Sequence, residues 1–429
     1  MLKKHPKGLG VIFFTEMWER VGFYTLMAVL VLYMDKVLGW SDSRKGDYYG
    51  IFLGLCYFVP LLGGWIGDRI LGQTRTVRIG AALMAVGYVG LALSSASQTA
   101  SFYLGLFLIA LGTGIFKVNM AVMVGNLYAD KPHLKDAGFN IFYMGVNVGA
   151  AIAPLIATAV SAIWGSYNIS FGICAVGLVF ALIIFQIGKP QLVRVDSRLS
   201  AAAAPKDAPP RAPLPPMDAR EVRSRIVTLI TLFVIAIFFW VAFYQNYFAL
   251  TLFAERSTKA FKLLRPETYQ FFEPFFIIVL TPILLSLFAR MNAKGREPST
   301  PVKIFWGMLI MSLSMIVMVA ASLAGGNRDA GNMSPAWLIG TYFIVTWAEI
   351  LISPMGQSFV SKVAPPKLAG VMMGGWFAAT AVGSYGSGML GKYYSDFAHH
   401  QYFLLLTAIL VLAAVLVLVF LKRLRRFAG

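Results

Sequence analysis

The sequence predicts an all-α integral membrane protein, with twelve transmembrane helices arranged as two six-helix bundles. Three observations lead there: an apolar composition, apolar runs that recur at bilayer-spanning length, and one long polar interruption at mid-chain. Hydrophobic residues fill 58% of the 429 positions and charged residues only 13%, too few polar side chains to cover a water-facing surface, so lipid is the solvent for most of the chain.

Crossing a bilayer takes about 20 apolar residues in helical form. Such runs cover residues 9–34, 48–67, 77–96, 101–125, 138–163 and 169–187, and then 226–253, 268–289, 303–324, 336–360, 369–394 and 401–421. Between the two sets lies the stretch 188–225, rich in Pro, Ala and Arg and poor in large apolar residues. Its composition predicts an extended, semi-rigid tether rather than further spans. The expected organisation is an N-terminal six-helix bundle over 1–187, a cytoplasmic linker over 188–225 and a C-terminal six-helix bundle over 226–429.

A net charge of +18 would suit nucleic acid, but the basic residues sort by side. With the N-terminus in the cytoplasm, the segments on that side hold 26 of the 37 Lys and Arg and the opposite side nine, leaving Arg20 and Lys117 within spans. That bias is the positive-inside rule, so the charge predicts a multi-pass protein of the cell (inner) membrane with both termini cytoplasmic, touching anionic lipid headgroups rather than nucleic acid. No small-residue cleavage site precedes the first span, so no removable signal peptide is expected. Cys56 and Cys174 sit in apolar runs and read as small buried hydrophobes. The four His residues lie at span ends and in loops without metal-ligand spacing. No enzyme, cofactor or metal is predicted, and a monomer is expected.

Charges inside spans are expensive and point to function. In "FFTEMWERVG", residues 13–22, Glu16, Glu19 and Arg20 are spaced to share one side of a helix. Three charges leave a surplus of one negative, and Lys117, in "GTGIFKVNM" of the fourth span, lies at a depth where it could meet them. Lysine changes protonation more readily than arginine, so the four residues form a candidate proton-handling set. The second half adds Glu273 in the eighth span and Glu349 in the tenth. Water-exposed snorkelling is the alternative for Glu273, about six residues from the outer end of its span. In the inner loop after span 2, "GGWIGDRILGQTR" carries Asp68 and Arg69 behind glycines that permit close helix approach.

"GGWIGDRILGQTR" resembles the signature of the major facilitator superfamily. "EMWER" resembles the ExxER motif of its proton-dependent oligopeptide transporters. Support comes from "FNIFYMGVNVGA", where Phe142, Tyr143, Asn147 and Gly149 match that family's FYxxINxG signature with Val146 in place of Ile. "CYFVPLLGGWIGDR" matches around Tyr57, Pro60 and Asp68, and "WAEILISPMGQSFVSKVAP" matches the span 10 segment that supplies the binding-site acid, Glu349. The resemblance implies the major facilitator fold and proton-coupled import of di- and tripeptides by alternating access, driven by the proton gradient without a cofactor. It implies proton coupling at Glu16, Glu19, Arg20 and Lys117, and gating at Asp68 and Arg69. Arg20 and Lys117 would receive the peptide carboxylate and Glu349 its ammonium, with polar contacts from Tyr24, Tyr57 and Asn147 and a pocket wall from Trp376.

The chain departs from the pattern at three places. Met27 replaces a second arginine, Phe243 and Tyr244 precede Gln245 where an acid is usual, and Glu273 stands where Asn is common. Losing one cation and one anion together keeps the account neutral, whereas losing either alone would strand a buried charge. Glu273 would assist Glu349 in attracting the ammonium, or replace the missing acid in outer gating. Two other functions stay open on the sequence: a major facilitator exporter of drugs or metabolites, and a nitrate-like anion transporter.

Overall fold

The structure, a computed structural model, describes residues 5–192, Asp196 and 217–427. Residues 193–195 and 197–216 of the tether lie outside the described residues, as do the first four and the last two. Among the described residues the only β-pairing is one bridge between Thr258 and Met333. Eleven helical stretches are long and apolar enough to cross a membrane. A further helix, Ala369–Gly391, has 23 residues, seven of them glycine.

The chain divides into two compact units. Unit 1 comprises residues 1–39 and 55–211, and unit 2 residues 40–54 and 212–429. Unit 1 contains α1 (Gly8–Lys36), the second part of α2 (Asp42–Ile66), α3 (Gln73–Ala92), α4 (Thr99–Leu127), α5 (Lys135–Trp164) and α6 (Tyr167–Leu192). Its α1 packs on α5 and α6, and α3 on α4 and α6. Unit 2 takes the first part of α2 and then α7 (Ala219–Phe243), α8 (Ala249–Arg256), α9 (Phe272–Ala293), α10 (Thr300–Ala324), α11 (Pro335–Val363), α12 (Ala369–Gly391), α13 (His399–Val419) and the short α14 (Leu421–Arg425). There α10 packs on α11 and α13, α7 on α12, and α9 on α11. The outward faces carry large apolar side chains such as Phe58, Phe107 and Leu285, and Trp65, Trp164 and Trp306 sit exposed near helix ends, the distribution expected of lipid-facing helices with interfacial aromatics.

Two elements differ from the sequence expectation. The second helix starts at Asp42 rather than near residue 48. Hydropathy places charged residues outside a span, but here they are paired: Lys45, fully buried, meets Asp42 at 2.5 Å, and Arg256 of α8 meets the same carboxylate at 3.0 Å. The second helix also ends in a π-helical turn, Gly67–Leu71.

The expected seventh span, 226–253, is not one helix. It breaks into a 3-10 turn at Tyr244–Tyr247 before α8 begins. The break frees backbone carbonyls in a dry interior, where each needs a donor. Side chains supply them: Tyr49 Oη donates to Tyr244 O at 2.6 Å, while Gln270 Nε2 and Tyr342 Oη donate to Asn246 O at 2.7 and 3.2 Å. Asp196, described between undescribed neighbours, accepts from the backbone and hydroxyl of Thr74 at 3.1 and 2.6 Å, so one point of the tether caps the start of α3.

Candidate functional site

In unit 1 the site grows out of α1. A three-to-four-residue helical spacing places Glu16 and Arg20 on one face, and the guanidinium Nε lies 3.2 Å from Glu16 Oε1 and 2.5 Å from Glu19 Oε2. All three side chains are buried. Gly149 of α5 lets the two helices close on this point: a Cβ there would stand 2.9 Å from the Cβ of Arg20 and 2.5 Å from Met17 O. Arg20 also lies 5.3 Å from the centre of the Phe23 ring, beside Tyr24.

One guanidinium serves two carboxylates, and the pairing is incomplete. Glu16 Oε2, Glu19 Oε1 and Arg20 Nη2 are shut from solvent without a hydrogen-bond partner among the described residues. Buried polar atoms left unmatched are costly, and here two acceptors and one donor are left so.

Lys117 comes to the same region, within electrostatic reach of Glu16, Glu19 and Arg20. It does not form an ion pair with them. Its ammonium stands over the Tyr57 ring, 5.4 Å from the centroid, a cation–π arrangement that holds the charge without neutralising it. The four predicted residues are therefore together, with Lys117 as the member not tied to a carboxylate.

Other predicted residues lie around this core. Asn147 donates its amide to Tyr143 O of its own helix at 2.9 Å. Asp68 accepts from Gln73 Nε2 at 2.7 Å, reaching the first residue of α3, and Arg69 is exposed. The glycine spacing before them is used for packing: a Cβ at Gly63 would stand 2.7 Å from Ile115 Cα, and one at Gly67 would collide with Asn119, whose amide donates to Gly63 O at 2.9 Å. Cys56 and Cys174 are free and buried. Among the described residues no three His, Cys, Asp or Glu side chains group as a metal would require.

Unit 2 holds the acids. Glu273, in the first turn of α9, is only 5% exposed, so it does not snorkel to the surface. It accepts from Tyr247 Oη at 3.0 Å and is hydrogen-bonded to Glu349 of α11. Trp376 is 1% exposed, its ring against Gly356 and edge-on to Trp240 at 6.4 Å.

Two groups escaped the sequence reading. The first is Asp42 with Lys45, Arg256 and Ser395, whose hydroxyl donates to Asp42 Oδ2. The second is the polar lining near the α7 break: Asn246, Gln270 and Tyr342, all buried. The four-residue step of polar side chains "YQNY" inside an apolar run was the available signal for the second. For the first, only the Asp42 and Lys45 spacing was visible, since Arg256 is distant in sequence.

Comparison with known proteins bears on this arrangement. The POT family model matches residues 74–203 and 216–405. The chain is 30% identical to dipeptide and tripeptide permease B of Xenorhabdus bovienii (strain SS-2004), over 88% of this chain and 85% of that one. It is 29% identical to dipeptide and tripeptide permease A of Escherichia coli (strain K12), over 90% and 85%. A crystal structure of a peptide transporter POT in complex with sulfate matches with a TM-score of 0.87 at 28% identity, covering 99% of this chain and 96% of that one. A POT family transporter in complex with 5-aminolevulinic acid matches with a TM-score of 0.86 at 26% identity, covering 98% and 97%. With its motifs, its helices and these matches in agreement, the chain belongs to the POT family of transporters and has the major facilitator fold.

Proposed function

We propose that the protein is a proton-coupled symporter that imports di- and tripeptides by alternating access. The observation that carries the reading is the buried Glu16, Glu19 and Arg20 set of unit 1, with its unmatched oxygens and the unbridged Lys117 beside it. A proton arriving on Glu16 or Glu19 weakens that carboxylate's hold on the nearby cation, and the cation becomes available for the carboxylate of a peptide. Departure of the peptide returns the cation to the glutamate and expels the proton. Coupling follows because protonation state and cation availability are the same event seen from two residues.

A short peptide is a zwitterion with variable side chains, so a general binder fixes the two ends and leaves the middle roomy. Arg20 and Lys117 suit the carboxylate, and Glu349 with Glu273 suits the ammonium. Dipeptides and tripeptides, for which relatives are named, and 5-aminolevulinic acid, with which a structural neighbour was crystallised, all carry an amine at one end and a carboxylate at the other. An exporter of lipophilic cations would have no use for the buried cations of unit 1, and a nitrate carrier none for the acids of unit 2. On this reading both termini face the cytoplasm, Asp68 and Arg69 act at the inner gate, and the monomer works in the bilayer without a cofactor or any enzymatic step.

The test is uptake of labelled dialanine and trialanine by proteoliposomes. Accumulation against a concentration gradient is expected when the outside is acid, and its collapse with a protonophore. Equal uptake with and without the imposed gradient would remove proton coupling, and no uptake of either peptide would remove the substrate class.

A further inference from the structure

Glu273 and Glu349 reach each other from two helices, α9 and α11, and are joined by a hydrogen bond between their carboxyl groups. A carboxylate has acceptors only; the donor in such a bond has to be a carboxylic O–H. Two ionised carboxylates that close would instead repel. One proton shared between them removes that repulsion.

The surroundings offer no substitute for it. The groups close to the pair are neutral: Tyr247, whose hydroxyl donates to Glu273 Oε2 at 3.0 Å, then Tyr342, Tyr269 and Gln270. The charged groups on the elements packed around it are occupied or lie at helix ends. On α8, Arg256 is paired with Asp42, and on α10 Lys303 is paired with Glu297. Just before α9, Glu267 lies 4.0 Å from Arg265. Arg290 and Lys362 belong to the last turns of α9 and α11. Among the described residues neither acid has a cationic partner. The second oxygen of Glu349, Oε2, is shut from solvent and accepts no hydrogen bond, which marks an acceptor aimed at something not yet present.

We propose that Glu273 and Glu349 form a one-proton dicarboxyl site in unit 2, which holds its proton in the empty protein and keeps it when a substrate ammonium settles on Glu349 Oε2. The charge balance is simple. With one proton the pair carries a single negative charge, and a primary ammonium brings the site to neutrality. Without the proton the pair would carry two negative charges and remain negative after the ammonium arrived. Glu273 thus acts as a hydrogen-bond donor to Glu349, and the site prefers a singly charged amine. No covalent bond changes; the proton stays on the pair through binding. The first half of the proposal stands on the structure alone, and the second rests on the peptide reading given above.

Infrared spectroscopy of the purified, substrate-free full chain tests the first half. Wild-type protein is expected to show a carboxylic-acid C=O band that is lost in Glu273→Gln and equally in Glu349→Gln, because an amide N–H replaces the shared proton in either variant. A band that persists in either variant would overturn the shared proton. Should a glutamine variant fail to fold, Tyr247→Phe serves instead. It leaves both acids but removes a hydrogen bond to Glu273, and it must shift that band; an unmoved band counts against the pair. The second half is read by adding dialanine in weakly buffered solution: the difference in released protons between wild type and Glu273→Gln is expected to be nil. Release of about one proton per peptide that vanishes in Glu273→Gln overturns retention. Failure of dialanine to protect the chain against thermal unfolding would instead defeat the peptide reading, leaving the infrared result untouched.

Discussion

Glu16 and Glu19 of unit 1 share the guanidinium of Arg20, a neighbour on their own helix, whereas Glu273 and Glu349 of unit 2 meet from different helices and, among the described residues, bond to each other and to a tyrosine hydroxyl without a cation. In the first case the counter-charge is built into the chain and permanent. In the second it must come from outside, as a proton or an ammonium. A transporter needs both kinds: a fixed cation whose partners can be exchanged, and an anionic site that only becomes neutral when cargo arrives.

The comparison can be broken most directly at Arg20. Arg20→Ala strands two buried carboxylates, so a loss of about 3–5 kcal/mol in stability is expected, read as thermal unfolding in detergent, together with loss of dialanine uptake. Adding Glu16→Gln and Glu19→Gln should restore much of the stability but not the uptake. If the triple variant is no more stable than Arg20→Ala, the charges are not the reason.

Coupling comes next. Glu19→Gln should lower proton-driven accumulation of dialanine in liposomes at least about tenfold while leaving exchange of internal for external peptide, since the amide keeps the hydrogen-bonding shape but not the titration. Accumulation at the wild-type level would take that glutamate out of coupling.

Glu349→Gln probes the other unit. Hydrogen bonds to charged groups are worth about 1.5–3 kcal/mol, so dialanine should bind about 10–100-fold more weakly, with little change for N-acetyl-dialanine, which lacks the ammonium. Calorimetry on both peptides decides it; equal losses would mean that Glu349 does not face the amine.

Tyr247→Phe is the mildest change. It removes one neutral donor from Glu273 and should cost about 1 kcal/mol of stability, with no effect on the Glu16, Glu19 and Arg20 set. A larger loss, or any change in proton coupling, would show that the two units are not separable in this way.

How much of this was open to a reader of the sequence depends on distance along the chain. The helices and the Glu16–Arg20 pairing follow from local periodicity and spacing, and the glycines of 63–67 announced the close approach to α4. What could not be read is what the fold alone brings together. Asp42 and Lys45 looked like loop residues because hydropathy treats every charge as solvated, and nothing local says that Arg256 completes the cluster. Glu273 and Glu349 were each visible as intramembrane acids, but that they hydrogen-bond one another depends on how α9 lies on α11. Lys117 lies near the carboxylates, as its depth in the fourth span suggested, but among the described residues it is in no ion pair with them. The position of Tyr57 across from it, set by the α2 and α4 packing, gives it an aromatic face instead.

The break at Tyr244–Tyr247 has a consequence for which positions tolerate change. Its fastening uses main-chain oxygens, which every amino acid provides, held by the particular side chains Tyr49, Gln270 and Tyr342. That fastening asks nothing of the side chains at Tyr244 and Asn246, whose carbonyls it holds, but it requires the donors of Tyr49, Gln270 and Tyr342. Natural variation should accordingly be sparse at these three donors, a constraint that lies at a distance along the chain from the irregular backbone it serves.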